Sequence, residues 1–215
     1  LYTKYSIDQF MTITQPTFSG FLVDDLPIQT PMNSREVYNG QEYMTAVIKK
    51  CILFPQKAGK LTIVSGSYDL DVVQYDMINA GFYSIPEARS RKIRVNSNSA
   101  SVNVLPLPTP KPAGFTGAVG QFTVDMKMST NSFRTNEPAT LTYLVNGSGN
   151  IKYLADPEID FPSEFELYTP QHNVDAKVAG DNVRGYSRTE LTFVPKDVGT
   201  YKVRVPDFVY FNPQS

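Results

Sequence analysis

Apolar residues in this chain recur at every second position, a spacing that gives a β-strand one buried and one wet face and does not fit a helix. The clearest run is Phe122, Val124, Met126 and Met128, alternating with Thr123, Asp125 and Lys127. Ala139, Leu141, Tyr143 and Val145 repeat it, followed by Phe165 and Leu167, by Leu191 and Phe193, and by Tyr201, Val203 and Val205. In the first half the strand candidates are residues 1–7, 43–54, 61–64, 70–73, 93–95 and 102–105. Turn clusters separate the strands of the second half: Asn131 and Ser132, residues 136–138, Asn146-Gly147-Ser148-Gly149-Asn150, Gly180-Asp181-Asn182 and residues 197–199. No window reads as a helix. Residues 77–91, with Gly81 and Pro86 inside, read as a long loop with room for one helical turn. Short strands between turns predict an all-β chain of β-sandwich type.

The two halves meet at Leu105-Pro106-Leu107-Pro108-Thr109-Pro110-Lys111-Pro112. Alternate prolines fix φ and remove backbone donors, so this stretch reads as a semi-rigid polyproline II spacer in preference to a ligand for an SH3-type domain. The halves also overlay on each other. At a shift near 140 residues Pro55, Gly59, Leu61, Ile63 and Tyr68 fall on Pro195, Gly199, Tyr201, Val203 and Phe208, while 16–21 falls near 157–162. Tyr201, two residues ahead of Val203, has the placement of an immunoglobulin-type tyrosine corner, whose hydroxyl bonds back to the chain a few residues upstream. Leu61 stands there in the first copy. The predicted organisation is two tandem immunoglobulin-like β-sandwiches: 1–106, a proline-rich linker at 107–112, and 113–215. On the overlay the first copy lacks an N-terminal strand and the second a C-terminal one, leaving edges open to pairing.

Composition narrows the functions open to such a chain. Of 215 residues, 20 are Lys or Arg and 21 Asp or Glu, a net charge of -1 without the basic excess that usually marks a nucleic-acid binder. One His and one Cys supply neither an N/S zinc site nor an internal disulfide. No stretch approaches the length of apolar sequence that spans a bilayer. Leu1 is no translation start, so the chain reads as a processed piece or a fragment.

Several segments carry a more specific signal. Val102-Asn103-Val104-Leu105-Pro106-Leu107-Pro108, then Gly114-Phe115-Thr116-Gly117-Ala118-Val119-Gly120-Gln121-Phe122, then Gly147-Ser148-Gly149-Asn150-Ile151 and Pro206-Asp207-Phe208-Val209-Tyr210-Phe211-Asn212-Pro213 come in the order of one family. With Phe54-Pro55-Gln56-Lys57-Ala58-Gly59-Lys60-Leu61-Thr62-Ile63, they closely resemble the BatD family of oxygen-tolerance (Bacteroides aerotolerance) proteins. The resemblance implies a bacterial envelope protein with a signal peptide before this region and an inner-membrane helix after it, these residues lying in the periplasm. It implies von Willebrand A-type Bat proteins as partners and a functional link to a MoxR-type AAA ATPase. The family has no established catalytic activity, so the resemblance carries over no active-site residue.

The remaining motifs favour bland readings. Gly114-x-x-Gly117-x-x-Gly120 lacks phosphate-loop spacing and precedes a strand, so it reads as a close-packed or bulged start to that strand. His172, after Pro170, reads as a polar surface turn. Cys51 reads as a small apolar strand residue in preference to a redox sensor. Asp24-Asp25 and Asp69-x-Asp71 with Asp76 lack a calcium-loop pattern and read as solvated charges. The 13 Tyr, without any Trp, sit at strand positions or corners in preference to a sugar platform.

The expected function is a non-enzymatic interaction and scaffold module of a membrane-anchored, BatD-like envelope protein. It holds its partners through a sheet edge, end loops or the aromatic run Phe208, Tyr210 and Phe211. No catalytic, cofactor-binding or metal-ligating residue and no cofactor is expected. The alternative is an all-β glycan-binding protein or hydrolase of the cell envelope, which would need converging carboxylates or an exposed row of Tyr.

Overall fold

The computed structural model describes residues 1–28, 34–80, 82–180 and 182–214. Gly81 and Asp181, which the sequence reading sets in a loop and a turn, lie outside the described residues. Among those residues the regular structure is strand, with a single short 3-10 turn and no α-helix. Two units follow one another, Leu1–Pro106 and Leu107–Ser215.

The first unit holds β1 (Tyr2–Thr3), β2 (Ser6–Thr14), β3 (Phe21–Asp25), β4 (Ser34–Tyr38), β5 (Gln41–Thr45), β6 (Cys51–Pro55), β7 (Gly59–Ile63), β8 (Ser67–Ala80), β9 (Tyr83–Asn96) and β10 (Ala100–Val104). They pair in the orders β1-β5-β4, β2-β8-β9, β3-β6 and β10-β7. The candidate strand at 43–54 is two strands, broken over 46–50, and the candidate at 1–7 is also two. In β8 the alternation works as expected: Tyr68, Leu70 and Val72 are buried, as are Leu61 of β7 and Ala46. Phe10 of β2 packs its ring on Tyr68 with centroids 5.3 Å apart.

The expected loop at 77–91 is instead strand. β8 and β9 form one antiparallel hairpin of 14 residues a side, in register from Ser67↔Asn96 to Ala80↔Tyr83. Pro86 stands opposite Met77 in β9, an edge strand, where a missing N–H can face away from the ladder at little cost. Residues 83–92 are exposed throughout, so neither face needs the alternation by which a strand is recognised in sequence.

The second unit holds β11 (Phe115–Met128), β12 (Ala139–Gly149), a 3-10 turn (Ile151–Tyr153), β13 (Phe165–Leu167), β14 (Gln171–Ala179), β15 (Asn182–Pro195) and β16 (Val209–Phe211). The sheet runs β13-β15-β12-β11-β16, and β14 also pairs with β15. Two of the expected turns prove to be strand. The segment Asn146-Gly147-Ser148-Gly149 continues β12, in register with β11 and β15, and His172 lies in edge strand β14. The inward face of the sheet carries Leu141, Tyr143, Val145, Val183 and Phe193, and Ile151 of the 3-10 turn is fully buried. Phe193 is fully buried, with ring centroids of Phe165, Phe161 and Phe133 at 5.1, 5.2 and 5.5 Å. Burying one such ring contributes about 1.5–3 kcal/mol.

The internal repeat is a repeat of backbone hydrogen bonds. Phe21↔Pro55, Leu22↔Phe54 and Val23↔Leu53 in the first unit match Phe165↔Pro195, Glu166↔Val194 and Leu167↔Phe193 in the second. Ahead of each pair the chain closes alike: Phe21 N–H donates to Phe18 C=O at 3.1 Å, and Phe165 N–H to Pro162 C=O at 3.0 Å. Just past it Gln56 N–H donates to Gly20 C=O and Lys196 N–H to Glu164 C=O, both at 2.9 Å. An isolated reciprocal bridge follows in both, Thr17 with Val64 and Asp160 with Arg204. These bonds use main-chain groups, so they persist where side chains differ as much as Leu22 and Glu166.

Within this frame the copies part at β7. In the first, β7 pairs along its length with β10, from Gly59↔Val104 to Ile63↔Ala100. The expected strand at Tyr201, Val203 and Val205 is not formed; only Arg204 makes a bridge, and among the described residues no backbone hydrogen bond reaches 199–203. Alternation prepares a face, but a ladder needs a second strand.

Candidate interaction site

His172 does have a carboxylate beside it, brought there by folding across 16 residues. Its Nδ1 lies 2.7 Å from Asp156 Oδ1 and 3.2 Å from Thr189 Oγ1, while the Thr189 hydroxyl donates to the same Asp156 oxygen at 2.7 Å. An Asp–His pair of this kind orients an imidazole in hydrolases, where the nucleophile stands at the far nitrogen. Here the hydroxyl sits on the near side and gives its proton to the carboxylate. The arrangement is therefore a clasp: it ties the segment carrying Asp156 to β14 and β15, with Thr189 buried beneath. The sequence could suggest His172 but not Asp156, an ordinary acidic residue until the chain returns past the sheet.

Cys51 opens β6 opposite Asp25 and is half-buried. Burial pushes its thiol above the ordinary value; Lys49 pulls the other way and Asp25 adds to the rise. That direction keeps the sulfur protonated, the opposite of what a redox sensor needs. The acidic pairs meet cations. Lys49 Nζ lies 2.6 Å from Asp25, Arg94 grips Asp69 with two bonds of 2.6 and 2.8 Å, and Arg89 stands 3.9 Å from Asp76. The Arg94 guanidinium holds the Asp69 carboxyl below its ordinary range.

The glycine segment begins β11 as a bulge, with the register to β16 shifting between Phe115 and Ala118. Gly120 lies in the close-packed part: a Cβ there would stand 2.0 Å from the Ser148 carbonyl oxygen, and its φ of 149° disfavours any side chain. Opposite, Phe122 covers Gly147. In the aromatic run Phe208 and Tyr210 meet the Phe122 ring edge-on at 5.7 and 5.5 Å, Tyr210 staying exposed on its other side. Tyr201 makes the bond of a tyrosine corner, its hydroxyl donating to Asp197 C=O at 3.3 Å, and its ring stands edge-on to Phe165 at 5.0 Å. It does so without beginning a strand.

Large apolar residues stand in water in both units, Leu105 and Val198 among them, and several lie on the outer half of the β8–β9 hairpin. Tyr75 and Met77 are each 65% exposed, Tyr83 is 78% and Phe82 is fully exposed. In β8 the edge opposite β9 is covered by β2 only over Ser67–Val73, so the hairpin continues past its sheet as a two-stranded ribbon. Two-stranded ribbons gain little from burial of their own, and the register sets Tyr75 and Met77 on one face of this one and Tyr83 on the other, so both faces present apolar side chains to water.

Residues 126–215 match the family model BatD, described as the BatD DUF11 like domain. That match supports the resemblance to BatD read from the sequence. No curated protein and no solved structure gives a match. The BatD match takes in the end of β11, the Phe193 core, the His172 clasp and Tyr201; the ribbon of the first unit lies outside it. None of the described helical structure is long and apolar enough to cross a membrane.

Proposed function

We propose that the chain is a non-catalytic interaction module of a BatD-like, membrane-anchored aerotolerance protein. Its two units are immunoglobulin-like sandwiches held in the periplasm, on the proline-rich spacer at 107–112. The sandwich reading is supported by β11, which pairs with β16 up to Val119, bulging between Phe115 and Ala118, and with β12 from Gly120 onward; strands that change partners make the corners of sandwiches. The partners are von Willebrand A-type Bat proteins, with a functional link to a MoxR-type AAA ATPase. The observation that carries the reading is the exposed two-stranded ribbon, with Tyr75 and Met77 on one face, Tyr83 on the other and Phe82 at its tip, which offers large side chains to a partner.

A photo-crosslinking residue at Tyr83, installed in the protein in its own cells, tests this. Recovery of a von Willebrand A-type Bat protein, reduced by Phe82→Ser, is expected. Recovery of a glycan or small metabolite, with no Bat protein, would favour the envelope glycan-binding or hydrolase reading. That reading has one observation of its own, a shallow concavity of about 420 Å³ on the outer face of the second unit's sheet, lined by Asp125, Asn146, Tyr186 and Arg188 among others.

A further inference from the structure

The first unit contains, already paired, the strand contact that the second leaves open. β7 carries Leu61, 4% exposed, and is sealed by β10. In the repeat Leu61 corresponds to Tyr201, which is half-buried, and the frame on either side is the same: the Gln56–Gly20 and Lys196–Glu164 bonds before, the Thr17–Val64 and Asp160–Arg204 bridges after. Both ends of 199–203 are thus held as the ends of β7 are held, while its own main-chain groups have no strand beside them among the described residues. A segment with its two ends fixed and its own N–H and C=O groups unpaired among the described residues is a template for strand addition, even though Gly199 bends the chain at its start.

We propose that 199–203 receives an added β-strand, running antiparallel as Ala100–Val104 runs against Gly59–Ile63. The occupant has the chemistry of β10, an uncharged stretch of small and β-branched residues in the pattern Ala-Ser-Val-Asn-Val, which Tyr201 and Val203 meet as Leu61 and Ile63 meet it in the first unit. We assign it to a stretch of the same polypeptide, because β10 reaches β7 within one chain. The inference is independent of the ribbon and its partner.

Amide hydrogen exchange read by mass spectrometry tests it in two arms. In the protein isolated from its own cells, the amides of 199–203 are expected to exchange as slowly as those of β7, at high and at low concentration alike. Fast exchange at both concentrations overturns the inference, and protection lost on dilution overturns the assignment to the same chain. In the second arm a synthetic peptide of residues 98–106 is added to the 215-residue chain. Slowing of 199–203 by about tenfold or more, with β12 and β15 unchanged, is expected; protection confined to other segments, or none at millimolar peptide, contradicts it.

Discussion

Leu61 and Tyr201 occupy one place in a repeated backbone plan and solve it differently. Leu61 is buried under a strand pair; Tyr201 stays half in water, holds its corner by a hydroxyl bond to Asp197, and leans its ring on Phe165. The same division runs through the two units. The shared part is main-chain bonding around β3–β6 and β13–β15, while cores and edges are filled locally. The second unit concentrates its apolar packing around Phe193; the first spreads it over several short pairings and leaves Tyr75, Phe82 and Tyr83 in solvent on a ribbon. What recurs is therefore set by backbone geometry, and what differs is where apolar area is hidden.

The strongest way to break that comparison is at one register position. Phe193 and Leu53 face matching partners, Leu167 and Val23. Phe193→Ala should cost about 3–5 kcal/mol in urea denaturation followed by circular dichroism, and Leu53→Ala, at a half-buried site, clearly less. Equal losses would mean that the second unit does not centre its core there. Next comes the close approach of β11 to β12 at the second unit's glycines. Gly120→Ala should cost about 1–3 kcal/mol, since its Cβ has no room beside Ser148, more than Gly40→Ala, where nothing lies within 4 Å. Thr189→Val removes one donor from Asp156 and should cost about 0.5–1.5 kcal/mol in the same assay.

The smallest effect sharpens the first unit. Because Arg94 depresses the Asp69 carboxyl in the folded state, the pair stabilises above the unfolded pKa of Asp69 and its contribution is lost as pH falls through the folded value. Calorimetry should show Asp69→Asn lowering Tm by a few degrees at most near neutrality and converging with the parent chain in acid; a difference that grows in acid would reverse the sign.

Alternation was legible wherever one face of a strand is dry, as at Phe122 to Met128 and Ala139 to Val145. It failed where both faces are wet, which hid the outer parts of β8 and β9 and edge strand β14 with His172. It also failed where glycine stands for close approach: Asn146-Gly147-Ser148-Gly149 reads as a turn, yet Gly147 continues β12 because Phe122 needs the space above it. The repeat was legible through Pro55 and Pro195, which end matching strands, whereas the clasp was not, because Asp156 and Thr189 lie 33 residues apart and meet only through the fold.

The central claim is that one hydrogen-bonding plan occurs twice. Scalar couplings across hydrogen bonds, measured by NMR on the labelled chain, read it directly. The account predicts couplings from Thr17 N–H to Val64 C=O and back, and from Asp160 N–H to Arg204 C=O and back. Couplings in one pair and none in the other, with both units folded, would contradict it.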